Sequence, residues 1–226
     1  MVDLFGNAAA IEYRCLLMDP PWAERGGGQI KRGADRHYDL AGKLGDVRPI
    51  VRAIRDSGSF TPAENAHLWC WYTDTFLEDA LVLVRELGFR YVRTFVWVKT
   101  SGVITPPWAL AQGQQIIHVN DSDLRMGIGQ YGRGCHEGII FAVRGKGQDE
   151  SVWSGARDVR SCFHAPHPTD DAGKRIHSRK PTASYELIER VSLGPRVEFF
   201  ARVARPGWSV WGNQAPEGDR DDDRPA

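Results

Sequence analysis

An open, mostly parallel α/β sheet with helices on both faces is the fold that the sequence predicts, on three observations. From Tyr13 to Lys99, apolar strand-like runs alternate with helix-periodic segments, the rhythm of right-handed parallel crossovers. The 226 residues, 42% hydrophobic and 10% aromatic, suit one ordinary domain with a sizeable core and not two. No internal repeat and no low-complexity core interrupts them.

Tyr13 to Met18 is a short buried strand that ends at Asp19-Pro20-Pro21, because prolines cannot continue a ladder. A Gly-rich cationic loop follows, from Arg25 to Arg32. Asp46 to Asp56 has helical spacing, with Val47, Ile50, Val51 and Ile54 on one stripe. Ala66 to Tyr72 is a second apolar strand. Asp74 then stands where an N-cap belongs, and Leu77, Leu81, Val84 and Leu87 form a helix face closed by Gly88. Tyr91 to Lys99, rich in aromatic and β-branched residues, is a third strand. Thr100 to Gly134 is an irregular stretch of a length that usually serves function or is disordered. His136 to Arg144 is a fourth strand, and Gly145 to Arg179 a second long polar connection carrying His164, His167 and His177. Ser184 to Ser192 is a helix. Val197 to Ala201 and Trp208 to Trp211 are the last strands. One folded domain is expected over residues 1–214, with 215–226 as a charged, disordered tail.

Lys plus Arg and Asp plus Glu both number 29, so the net charge is zero. The neutrality hides a split: Glu217 to Ala226 carries five acids against two arginines, or −3, and residues 1–216 therefore total +3. A mildly basic body allows a polyanionic partner without demanding one. The first ten residues hold no signal peptide, and no run approaches about 18 apolar residues, so neither export nor a membrane span is expected. The four cysteines (Cys15, Cys70, Cys135, Cys162) form no C-x-x-C pair. Reduced thiols in a cytoplasmic protein follow from that usage.

In open parallel sheets, ligands bind beyond the carboxyl ends of the strands. That rule points to Asp19-Pro20-Pro21-Trp22, to the loop after Lys99, and to Glu198 and its followers. The bland alternative for the tetrapeptide is a rigid turn with Trp22 packed on the core. The first motif resembles the signature of N6-adenine methyltransferases related to the seventy-kilodalton catalytic subunit of the mRNA adenosine methyltransferase. The likeness runs from about Tyr13 to Gln214. It includes Leu68-Trp-Cys-Trp-Tyr-Thr73, Gly88-Phe89, Phe95-Val-Trp-Val-Lys99, His177-Ser-Arg-Lys-Pro181, Arg196-Val-Glu-Phe-Phe-Ala-Arg202 and Trp208-Ser-Val-Trp-Gly-Asn-Gln214. It implies a Rossmann-like fold dependent on S-adenosyl-L-methionine, with permuted motif order, the catalytic loop first and the cofactor strand late.

The chemistry explains the residue types. An adenine amino group is a poor nucleophile because its lone pair is delocalised into the ring. Accepting its two N–H hydrogens draws the nitrogen toward a reactive tetrahedral shape. Asp19 supplies one acceptor and the Pro20 carbonyl the other, with Pro21 completing the turn. Trp22 is expected to offer a face on which an extruded base stacks, a contact of about 1–3 kcal/mol. Attack on the methyl is in line, so positioning supplies most of the acceleration, and no metal is expected. By the resemblance, Lys180 pairs with the carboxylate of the cofactor and Glu198 accepts from its ribose hydroxyls. Asp19 favours the sulfonium side of the reaction, and Arg202, Asn213 and Gln214 complete the pocket. A carboxylate between Val197 and Phe199 is costly to bury unpaired, which favours a purpose for Glu198.

Substrate contacts are expected from Tyr38, which matches a pocket tyrosine of the family, and from Lys99, Arg25, Lys31, Arg32, Arg133 and Arg179. Arg36, Lys174, Arg175 and His177 fall in the same two cationic loops, suited to phosphates along nucleic acid. No appended RNA-binding module is visible, which resembles the bacterial and phage members that methylate DNA. DNA adenine is the first expectation, with RNA adenine open. Monomer, homodimer and heterodimer stay open too.

Two signals are set aside, and two further readings are held as alternatives. Gly127-Ile-Gly129-Gln-Tyr-Gly132 matches a dinucleotide-binding pattern, but no helix follows to hold a pyrophosphate. Cys135, His136, Cys162 and His164 fit no standard zinc spacing. A non-catalytic nucleic-acid-binding partner of the same fold would lack the acidic group, yet Asp19, Glu198 and Lys180 are all retained. Methylation of a protein amide has a related signature that begins with Asn instead of Asp.

Overall fold

The computed structural model describes residues 11–22, 45–101, 124–125, 131–176 and 179–212. They form a seven-stranded sheet with three helices. The strands are β1 Tyr13–Met18, β2 Pro62–Tyr72, β3 Arg90–Thr100, β4 His136–Arg144, β5 Cys162–Pro166, β6 Arg196–Phe199 and β7 Ser209–Trp211. The helices are α1 Arg48–Asp56, α2 Leu77–Glu86 and α3 Thr182–Val191. Across the sheet the order is β5-β3-β4-β2-β1-β6-β7. β1 lies between β2 and β6, parallel to both, and β6 is parallel to β7. β4 runs antiparallel to both β2 and β3, and β3 is parallel to β5. The sheet is therefore mostly parallel, with one reversed strand near its middle.

Strand alternation sorts the core into two layers. One face carries Leu16, Met18, Leu68, Cys70, Ile140, Val197 and Phe199 against α1 (Ile50, Val51, Ile54) and α2 (Ala80, Leu83, Val84). The other carries Cys15, Leu17, Trp69, Trp71, Phe95, Trp97 and Ile139 against α3 (Tyr185, Ile188, Val191). Helices thus cover both faces, as the alternation predicts. Burial of Cys15 and Cys70 pushes both thiols far up, the first to about 12, which keeps them protonated core side chains.

Several local expectations are corrected. Asp74 is not the cap of α2: it opens a 3-10 turn, Asp74–Phe76, and α2 starts at Leu77 without a side-chain cap. Leu77 is exposed, so the buried stripe of α2 is shifted toward Leu83. Gly88 does close it, with φ +85° and hydrogen bonds from Gly88 N to Arg85 O and Phe89 N to Val84 O. The polar stretch from Gly145 to Arg179 contains β5, which among the described residues is an edge strand paired with β3 alone. β6 stops at Phe199 because Phe200 takes φ +63°, which turns the chain out of the sheet. Gly212 then passes so close to this turn that a Cβ would lie 2.8 Å from Ala201 O. Residues 215–226 lie outside the described residues, as do 102–123 and 126–130 with the glycine pattern at Gly127.

Candidate active site

The carboxyl ends of β1, β2, β3 and β6 meet the amino end of the reversed β4. At this edge, Asp19 follows β1 and Lys99 is the penultimate residue of β3. Glu137 is the second residue of β4, and Glu198 the third of β6. Because β4 is antiparallel, its first residues sit beside the last ones of its neighbours: Trp97 pairs with Glu137 and Tyr72 with Gly138. Gly138 is required there, since a Cβ would lie 2.2 Å from Tyr72 Cζ.

Three of these side chains, Asp19, Glu137 and Lys99, form one chain of charge with Lys180. Lys180 Nζ lies 3.1 Å from Asp19 Oδ1 and 3.0 Å from Glu137 Oε2, and Glu137 Oε1 is 2.7 Å from Lys99 Nζ. Aromatic rings floor the two cations. Lys180 Nζ is 4.9 Å from the centroid of Trp71, and Lys99 Nζ is 5.5 Å from that of Trp97. Burial would lift the Glu137 carboxyl, but the Lys180 and Lys99 ammonium groups outweigh it and hold the value at about 2. Burial lifts Asp19 above the ordinary carboxylate range, with Glu137 adding to it and Lys180 and Arg202 opposing. Burial works against the Lys180 ammonium, yet Asp19 and Glu137 raise its pKa overall, so it stays charged.

Glu198 is buried and accepts a hydrogen bond from Tyr185 Oη at 2.9 Å. Burial pushes its carboxyl up to about 7. It pairs across the ladder with Leu17, two residues before Asp19, so both acidic groups share one end of adjacent parallel strands. Arg202 is half-buried and near enough to lower the Asp19 pKa.

Pro20 O accepts the Trp22 N–H at 2.8 Å, which uses one of its two lone pairs. Trp22 departs from expectation. Its indole stacks on Phe76 at 5.6 Å, donates from Nε1 to Trp71 O at 3.1 Å, and the residue is only 7% exposed. An open stacking platform is therefore corrected to a core side chain that locks the turn after Asp19. Arg133 and Arg179 are exposed, the first ahead of β4 and the second beside Lys180. Lys174 and Arg175 are exposed in a turn in which Asp170 Oδ1 accepts from Lys174 N at 2.8 Å. Arg25, Lys31, Arg32, Arg36, Tyr38, His177, Asn213 and Gln214 lie outside the described residues.

Glu137 is the site residue that sequence reasoning missed. A lone carboxylate heading an apolar run was the available signal, the same one that singled out Glu198. His136 faces Asp74 at 3.2 Å, and among the described residues no cluster of His, Cys, Asp or Glu is arranged to hold a metal. Nor is any described helix long and apolar enough to cross a membrane.

The donor set suits a zwitterionic, sulfonium-bearing nucleoside. A buried cation can meet its carboxylate and a buried carboxylate its ribose diol, while Asp19 provides negative charge between them. Trp71 Nε1 adds a buried donor that has no partner among the described residues. Comparison with known proteins agrees in kind. The family model described as MT-A70 matches residues 13–214. A Medicago truncatula protein named "Putative N(6)-adenosine-methyltransferase MT-A70-like" is 24% identical in a 219-residue alignment that covers 94% of this chain. The chain spans 27% of that relative's length.

Proposed function

The chain belongs to the MT-A70 family, and from that premise we propose that it transfers a methyl group from S-adenosyl-L-methionine to N6 of adenine in nucleic acid. DNA is the substrate we favour, and RNA is the alternative. One observation carries the reading: Asp19 and Glu198 end adjacent parallel strands, with the Lys180 ammonium 3.1 Å from Asp19. Two acids with different partners at one edge can divide the work between substrate and cofactor.

Lys180 and Glu198 would hold the cofactor, whose sulfonium supplies an electrophilic methyl group when bound. Asp19 would accept one N–H of the target amine and the remaining lone pair of Pro20 O the other. Both acceptors are built on rigid backbone: Asp19 N is bonded to Phe199 O at 3.4 Å, and the turn is pinned by Trp22. Fixing them before substrate arrives removes reorganisation from the chemical step. The raised pKa of Asp19 also suits it to hold the proton that the amine gives up. Lys180 is shared with Glu137, so its charge does not neutralise Asp19 alone.

The exposed cations Arg133, ahead of β4, and Arg179, beside Lys180, suit phosphate contacts, and Lys174 and Arg175 are exposed as well. Incubation with methyl-labelled S-adenosyl-L-methionine and either duplex DNA or RNA tests the proposal. Label on N6 of adenine supports it, and the better substrate identifies the nucleic acid. Label on another base, or only on protein, overturns it. Binding to the preferred nucleic acid should also weaken as salt rises.

A further inference from the structure

Glu198 has neighbours that do more than bury it. Its side chain leaves the sheet on the α3 face, where Tyr185 occupies the first half of α3. The Tyr185 hydroxyl donates to Glu198 Oε1 at 2.9 Å, and no other hydrogen bond reaches the carboxylate among the described residues. The Tyr185 ring is itself clamped. Trp208 meets it edge-on at 5.8 Å, the Arg205 guanidinium lies 3.8 Å over its face, and Trp208 Nε1 donates to Glu189 at 2.7 Å. A hydroxyl held this firmly can set the plane of a carboxylate.

We propose that Tyr185 is a positioning residue for nucleoside binding: it occupies Glu198 Oε1 and thereby presents Oε2 as the acceptor for a ribose diol. The inference rests on the reading of Glu198 as the ribose acceptor. It goes further in making the affinity depend on a residue of α3 that does not itself touch the ligand.

The charges around Glu198 give this a signature in pH. Facing it are Tyr185 from α3, Asp19 after β1, Arg205 from the connection between β6 and β7, and Lys180 ahead of α3. Burial and, more weakly, Asp19 disfavour the ionised carboxyl, whereas the Tyr185 hydroxyl, Arg205 and Lys180 favour it. The balance sits at about 7, so removing the hydroxyl moves the titration upward. A diol needs the ionised form as acceptor, and binding must strengthen as pH rises through that value.

Calorimetric titration with S-adenosylhomocysteine from about pH 6 to about pH 8.5 tests this in four proteins. These are the wild type, Tyr185→Phe, Glu198→Gln and the double variant. Wild-type affinity is expected to rise through neutral pH. Tyr185→Phe should shift the midpoint up by about one unit and weaken neutral-pH binding about five- to tenfold. Glu198→Gln should weaken binding and retain only the pH dependence due to Asp19, and adding Tyr185→Phe to it should change little. If Glu198→Gln binds like the wild type, the ribose reading of Glu198 fails. If Glu198→Gln is weakened but Tyr185→Phe keeps the wild-type midpoint, or costs the same affinity in both backgrounds, Tyr185 is only structural and the inference is overturned.

Discussion

Glu137 Oε2 lies 3.0 Å from Lys180 Nζ while its other oxygen holds Lys99, so one buried carboxylate balances two cations. Its folded pKa of about 2 is below the ordinary 4.5. The stability it contributes is therefore complete above pH 4.5 and is lost as pH falls toward 2. Glu137→Gln keeps the shape and removes the charge. It should cost about 2–4 kcal/mol in urea denaturation at neutral pH and flatten the acid limb. It should also lower kcat/KM at least about tenfold, because Lys180 then settles on Asp19 alone. A variant matching the wild type in both denaturation profiles would refute this account.

The fate of Glu137 shows where sequence reasoning stopped. β1 and β4 have the bounds that their apolar runs predict, and the proline pair marks the end of β1 correctly. The antiparallel direction of β4 is a long-range choice that no local pattern records, and it alone brings Glu137 to Lys180. β5 escaped because Cys162–Pro166 is five residues of mixed polarity on an edge. Trp22 was misjudged for a different reason. A motif names residue types but not the direction of a ring, and Phe76 claims the face that a base was expected to use. The placing of Asp19 and Glu198 at strand ends was legible because carboxylates beside apolar strands need a reason to be there.

Asp19 and Glu198 should separate in their effects. Asp19→Ala leaves Lys180 bonded to Glu137, so the cation proposed to meet the cofactor stays in place. Turnover should fall by at least about a thousandfold while the Kd for S-adenosylhomocysteine stays within about tenfold. Glu198→Ala removes a buried acceptor and should weaken the same Kd about ten- to a hundredfold. Calorimetry and single-turnover methylation giving the opposite pattern would reverse the assigned roles.

Glu198 should also trade stability for binding. Its folded pKa of about 7 exceeds the ordinary 4.5, so its contribution to stability is fully present below pH 4.5 and is lost as pH rises through 7. The loss is on the order of 3 kcal/mol. Glu198→Gln does not ionise and should melt several degrees higher than the wild type at pH about 8, with the gap closing in acid. Scanning calorimetry at the two pH values measures it, and a gap that widens in acid would contradict the sign.

Gly138 and Tyr72 should behave as a coupled pair. A Cβ at position 138 would sit 2.2 Å from Cζ and 2.4 Å from the hydroxyl of Tyr72, whose residue is buried. Gly138→Ala must displace the ring from the end of β2 and should cost about 1–3 kcal/mol. Tyr72→Ala vacates the space at its own cost. Adding Gly138→Ala to it should then cost little, and a double-mutant cycle with no coupling would show that the ring yields freely.

Midway along the same strand, Ser192, which follows α3, supports a different kind of order. Trp69 Nε1 donates to Ser192 Oγ at 2.9 Å, and Ser192 Oγ lies 2.8 Å from His67 Nδ1. His67 Nε2 is 2.7 Å from Gly147 O, an acceptor only, so Nε2 carries the proton and the Ser192 hydroxyl donates to Nδ1. Burial lowers the His67 pKa below 6.5, more than its bond to Gly147 restores, and the ring is neutral in the folded protein. Ser192→Ala leaves a buried donor and a buried acceptor unpaired together, which should cost about 2–4 kcal/mol in urea denaturation at pH above 6.5. Because the folded pKa is depressed, the stability from His67 is full above 6.5 and falls as the solution is acidified below it. His67→Gln removes that titration and should lessen the loss between neutral and mildly acidic pH. An unchanged acid slope in that variant would mean that the network does not depend on a neutral imidazole.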